Sequence, residues 1–197
     1  MNSRTRKLSD WLLSLFLVVG FTAVPAFAGS FDLSVQPATL TVNQGEAFSL
    51  DVSIAGVTDL YAFQFDLGFD PTVLSVTNVR EGAFLATGGS TFFIPGTIDN
   101  VGGTVSNNAN TLESAISGVN GSGVLVTFDF DALAAGTSQI SIFNAILLDS
   151  NLSGLTPEIE NGSVTVRAVP EPSSLLLLLG GLGGLLGGLM VRHGKMM

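Results

Sequence analysis

Between Leu60 and Leu74 the chain reads Leu-Tyr-Ala-Phe-Gln-Phe-Asp-Leu-Gly-Phe-Asp-Pro-Thr-Val-Leu, with Tyr61, Phe63, Phe65, Leu67 and Phe69 at every second position. That period belongs to a β-strand, whose successive side chains point to opposite faces. One face is aromatic and the other carries Ala62, Gln64, Asp66 and Gly68. A strand so rich in aromatics on a single face needs a second layer to cover it, which commits the surrounding chain to a layered β architecture. Asp70-Pro71 stops the strand, because proline has no N–H for a ladder and the pair favours a turn. The return begins at Val73, with Val73, Ser75, Thr77 and Val79 on one side and Leu74 and Val76 on the other.

The rest of the middle repeats the pattern in shorter pieces. Phe31–Val35 and Thr39–Val42 alternate on either side of Gln36-Pro37, the pattern of an edge strand broken by proline. From Glu46 the residues Phe48, Leu50, Val52 and Ile54 face one way, and Ala55 to Asp59 reads as a turn into the aromatic run. Gly82 to Asn110 holds six glycines around an apolar island, Phe92, Phe93 and Ile94, and predicts short strands joined by variable loops. Further strands are expected over Thr111–Ile116, over 123–130 after a glycine-rich turn at Gly118–Gly123, around Ile140–Ile142 and Ile146–Leu148, and over Ser163–Val169. No segment of the middle has a helical period. The fold class is therefore all-β, a sandwich of antiparallel strands with one polar face on each of its strongest strands.

Charge and composition exclude several functions. Between Gly29 and Val169 there are fourteen acidic and two basic residues, a net −12. So acidic a surface repels phosphate backbones and anionic lipid, which excludes nucleic-acid binding and membrane-surface docking by this part. There is no cysteine, hence no disulfide or thiolate chemistry, and the single histidine, His193, lies in the tail beyond the middle. Three carboxylate pairs remain as candidates for glycosidase-type acid–base work: Asp66 with Asp70, Asp129 with Asp131, and Glu158 with Glu160. Without further catalytic residue types they read better as a solvated acidic face, and no catalytic residue is assigned. Oxygen ligands suit calcium, yet no calcium, metal or other cofactor site is assigned. Three N-x-[ST] sequons, beginning at Asn120, Asn151 and Asn161, are read as turn residues.

Both ends read as addresses. Residues 1–28 have a basic start (Arg4, Arg6, Lys7), an apolar run from Trp11 to Val24, and Ala26-Phe27-Ala28 as an A-x-A site, so a secretory signal peptide cleaved between Ala28 and Gly29 is expected. Residues 169–197 comprise Pro170-Glu171-Pro172, an apolar segment 173–191 long enough for a transmembrane helix, and a basic end. This ending resembles the PEP-CTERM sorting signal of Gram-negative bacteria. The resemblance implies an exosortase-type membrane protease as partner, anchoring in the inner membrane before processing, and then the cell envelope, outer surface or extracellular matrix.

The intervening residues 29–168 resemble the cohesin domain. The likeness rests on Gly45-Glu46, on Ala62 to Leu67 followed by Asp70-Pro71-Thr72-Val73-Leu74, on Gly82, on Gly121 with the run from Gly123 to Phe130, on Gly136 to Ile140, and on Asn161 to Val166. Where the family usually has tyrosine this chain has Phe69. The resemblance implies a jelly-roll β-sandwich and a non-catalytic module that binds through one sheet face, with dockerin-type proteins as the family's partners and carbohydrate-binding modules as fold relatives. An exported binding or structural module in the envelope or an exopolysaccharide matrix is thus expected, its partner an extracellular protein or polysaccharide. A carbohydrate-binding module linked to polysaccharide breakdown, or a dockerin-type binder, is the alternative. On the aromatic strand the outward Gln64 and Asp66 are the expected binding contacts.

Overall fold

The computed structural model describes residues 30–169. The expected signal cleavage site at Ala26, Ala28 and Gly29, the Pro170-Glu171-Pro172 motif and the transmembrane segment lie outside the described residues. In chain order the strands are β1 Asp32–Gln36, β2 Thr39–Asn43, β3 Ala47–Leu60, β4 Ala62–Gly68 and β5 Leu74–Glu81. A single helical turn, α1 Ala83–Ala86, follows, and then β6 Thr91–Ile94, β7 Thr97–Asp99, β8 Thr104–Leu112 and β9 Val119–Ala132. The chain closes with β10 Gly136–Leu148, β11 Gly154–Leu155, β12 Glu158–Glu160 and β13 Gly162–Arg167.

These strands form a two-sheet sandwich. One sheet has the order β12-β1-β3-β9-β5, and the other β2-β13-β10-β4-β8-β6, with β7 also pairing β8 and β11 pairing β10. Pairing is antiparallel except between β1 and β12 and between β13 and β2, which run parallel at the sheet margins. Gln36-Pro37 is not an interruption within one edge strand: it carries the chain from the first sheet to the second.

The aromatic run, now β4, lies inside the second sheet between β10 and β8. Its Phe65 is fully buried and meets Phe128 of β9 across the sandwich, ring centroids 6.3 Å apart. Phe69 packs edge-on to Phe130 at 5.7 Å, and Phe48 stacks on the same ring at 5.4 Å. Asp70 then builds the expected turn, its Oδ1 accepting hydrogen bonds from the Thr72 N–H and hydroxyl.

Several local expectations change. Ala55–Asp59 is no turn but the continuation of β3, bulged between Ile54 and Val57 and again between Val57 and Leu60. Gly56 and Asp59 take left-handed φ of 77° and 61°, and their N–H groups are taken by the Ser122 hydroxyl and the Asn120 side-chain oxygen. The glycine-rich stretch after Gly118 likewise opens β9 instead of turning. The strand expected from Thr111 ends at Leu112, and β8 instead begins at Thr104, in the stretch expected to hold short strands joined by variable loops. In β5 a bulge between Val76 and Asn78 puts Leu74, Val76 and Val79 in the core and leaves Thr77 exposed.

Candidate functional site

On β4 the aromatic face is spent on the core, so the outer face of the second sheet has to be built from the alternate residues. Two cross-strand rows result. One runs Ile146, Gln64, Ala109, Ile94 across β10, β4, β8 and β6; the other runs Leu148, Ala62, Thr111, Phe92. In each row small or polar residues occupy the two central strands and large apolar residues the two flanking ones. The outcome is a groove of about 220 Å³, floored by Ala62, Gln64, Ala109 and Thr111 and walled by Ile146 and Leu148 on one side and Phe92 and Ile94 on the other. Phe92 is 58% exposed, Ile146 54% and Ile94 43%, a concentration of apolar surface that folding leaves uncovered.

Gln64 lies on the groove floor, where its position on the aromatic strand places it. Asp66, one pair further along, already has work inside the fold. Its Oδ1 accepts the Asn107 N–H at 2.7 Å and its Oδ2 the Asn144 side-chain amide at 2.7 Å. Both asparagines have left-handed φ, 61° and 52°, at irregularities in β8 and β10, so Asp66 ties together the two strands that flank it. The groove walls were not singled out from the sequence. The signal for them was present: Phe92-Phe93-Ile94 and Ile146-Leu147-Leu148 are apolar on both faces, while a sandwich strand needs only one.

Of the other acidic candidates Asp129 and Asp70 are structurally engaged, whereas Asp131, Glu158 and Glu160 are exposed and their side chains make no hydrogen bond among the described residues. Asp129, on the outer face of the first sheet, accepts two hydrogen bonds from the Arg80 guanidinium, at 2.7 and 2.9 Å, one from Ser49 at 2.7 Å and one from Asn78 at 3.2 Å. The guanidinium hydrogen bond, ahead of the hydroxyl and amide, holds its carboxyl well below the usual carboxylate range. Asp70 is lowered by the Thr72 hydroxyl and N–H, and Asp59 by the Ser150 hydroxyl and the Gly118 N–H. Among the described residues no three His, Cys, Asp or Glu side chains converge as a metal site. Tyr61 is half-buried, with its hydroxyl donating to the Ser114 carbonyl at 3.0 Å.

Residues 33–166 match the model of the cohesin domain. The chain belongs to the cohesin family. Residues 168–195 match the PEP-CTERM protein-sorting motif, which marks an exported protein of the exosortase-sorted class of Gram-negative bacteria. Solved cohesins share the fold. The non-cellulosomal cohesin from the archaeon Archaeoglobus fulgidus is 15% identical, with 71% of this chain and 92% of that one covered and a TM-score of 0.58. The type I cohesin–dockerin complex Coh-OlpA–Doc918 from Clostridium thermocellum gives 16% identity over 71% and 100% of the two chains and a TM-score of 0.57. CaCohA2 from Clostridium acetobutylicum gives 22% over 70% and 91%, with a TM-score of 0.56. No curated protein sequence matches the chain. As a cohesin the domain is a non-catalytic binding module.

Proposed function

We propose that this exported cohesin domain recognises a protein partner through the outer face of β10-β4-β8-β6, and that it does so at the cell envelope or in an extracellular polysaccharide matrix after exosortase processing near Pro170-Glu171-Pro172. The observation that carries the reading is the groove: two apolar walls stand exposed on either side of a floor of small and polar side chains. Apolar anchors entering such a groove would contribute about 1.5–3 kcal/mol per side chain fully buried. Aromatic residues at the centre of an interface are where binding energy concentrates. Dockerin-type modules are the first partners to try, because a structural neighbour is a cohesin–dockerin complex.

The test is calorimetry of residues 30–169 against a panel of dockerin modules, together with capture from the host's secreted proteins, in calcium and in chelator. Wild-type domain should take up a discrete protein, and Phe92→Ala or Ile146→Asp should weaken uptake by at least tenfold while the thermal midpoint hardly moves. Equal binding by the wall variants would remove the groove from the site. Saturable binding on a glycan array with no protein partner would replace the reading by a carbohydrate-binding one.

A further inference from the structure

We propose that Asn151, at the tip of the turn between β10 and β11, is an acceptor for an N-linked glycan. The chain carries three sequons, and the fold treats them differently. Asn120 lies within β9, and its side-chain oxygen accepts the Asp59 N–H at 2.8 Å. Asn161 sits at the junction of β12 and β13, and its side-chain oxygen accepts the Ile142 N–H at 2.9 Å. A glycan on Nδ2 would leave these oxygens in place, but turning either amide out to a transferase means withdrawing its oxygen from a backbone N–H of a strand. The Asn151 side chain is exposed and makes no hydrogen bond among the described residues; only its backbone N–H is engaged.

The turn presents the acceptor at the surface. Asp149 Oδ1 accepts the N–H groups of Asn151 and Ser153, both at 2.8 Å, so the sequon is folded back on the acid two residues before it. Leu152, between asparagine and serine, is 65% exposed with φ of 61°, a conformation costly for a branched residue and released when the turn straightens. Beyond it β11 is two residues long, and Gly154 has open space around it. Drawing Asp149 to Ser153 into an extended acceptor conformation releases the turn's own hydrogen bonds and those of Ser150 to Asp59, but exposes no buried apolar side chain.

The chemistry is that of Asn-x-Ser acceptors. Nδ2 of Asn151 attacks the anomeric carbon of an oligosaccharide carried on a lipid pyrophosphate. The C–N bond forms, the bond from that carbon to the phosphate oxygen breaks, the lipid pyrophosphate leaves with the electron pair, and the Nδ2 proton passes to a base of the transferase. Asp149 stands at the second position before the asparagine and Ser153 supplies the hydroxyl two positions after. Neither other sequon has that acid: Gly118 and Ile159 occupy the equivalent positions. Export places the turn on the side of the membrane where lipid-linked donors are consumed.

The experiment is fragment-ion mass spectrometry of the full chain from the envelope of its own bacterium, with a second arm in a Gram-negative host expressing an N-oligosaccharyltransferase and its lipid-linked oligosaccharide. The expected result is an oligosaccharide mass on Asn151 in both arms, abolished in Asn151→Gln and Ser153→Ala. Asn120→Gln and Asn161→Gln should retain it. Thermal midpoints of the unglycosylated variants, compared with wild type, separate loss of acceptor from loss of fold. Unmodified Asn151 from the native envelope, or a glycan that persists in Asn151→Gln, would overturn the proposal.

Discussion

At the scale of single residues the carboxylates decide how the domain responds to acid. Asp129 is held ionised by Arg80, so its folded pKa lies below the unfolded value of about 3.9. A group lowered in this way contributes stability that is fully present above the unfolded pKa and is lost as pH falls through the folded one. Asp59, Asp70 and Asp99 are shifted in the same direction by local hydrogen bonds and add to the same acid-side loss. Asp129→Asn should therefore lower stability at pH 7 by about 1 kcal/mol, the upper end for an exposed pair with good geometry. The same variant should flatten the decline of the thermal midpoint between pH 5 and 2, which calorimetry across that range reads directly. Asp66 separates two roles in one measurement. As the tie between β8 and β10, Asp66→Ala should cost about 1 kcal/mol in a urea titration, the net worth of hydrogen bonds whose exposed donors water can satisfy; loss of partner binding at unchanged stability would instead make it a contact. Period 2 was enough to send Gln64 outward. It was not enough to show what Asp66 holds, because its partners lie 41 and 78 residues away and depend on irregularities in other strands.

At the scale of elements, the cohesin landmark glycine after β5 has a geometric cause. A Cβ at Gly82 would lie 2.2 Å from the Val124 carbonyl oxygen, while the Gly82 N–H donates to the Leu125 carbonyl. Gly82→Ala must push β9 aside and should cost about 1–3 kcal/mol, the range for overpacking, with a matching fall in the urea midpoint. Elements with strong alternation, β3, β4 and the second half of β9, were legible because their core faces obey a strict period. Two kinds of element were not. Bulged stretches such as Ala55–Asp59 look like turns, since the glycine and aspartate that allow a left-handed bulge are also turn residues. The strand β8 was hidden by its own composition. Asn108 and Asn110 occupy inward positions at 0% and 2% exposure, where the pattern calls for apolar side chains. Asn110 is tolerated there because its amide donates to Glu81, and Asn108 because its amide donates to the Phe65 and Val105 carbonyls. The groove followed from neither element alone, since its floor and walls come from four strands that only the topology brings side by side.

At the scale of the whole molecule, one core runs between the two sheets from Phe31 to Val166, and the matched family region covers nearly the same residues. Residues 30–169 freed of both ends should accordingly unfold in a single cooperative transition, with calorimetric and van't Hoff enthalpies in agreement. Two separate transitions would show that the sheets do not share their stability. The strand directions also orient the molecule. β13 is antiparallel to β10 and pairs Val166 with Gly136, so Arg167 leaves at the end of β10 opposite Leu148 and the groove wall. Thirteen residues of β10 at about 3.3 Å each separate the two ends by roughly 40 Å. The groove therefore lies at the end of the sandwich far from Arg167, where the chain continues toward the sorting motif.

The same placement determines how the domain carries load. A partner seated on the groove and a pull on the chain beyond Arg167 would act at opposite ends of the sandwich. Tension then runs along β13, which is held on one side by five register pairs with β10 and on the other by five with β2. Force along a strand loads those hydrogen bonds together in shear, whereas force across it would open them one at a time. The parallel pairing of the last strand with β2 thus makes the exit of the chain at Arg167 a clamp, loaded in shear on both of its edges.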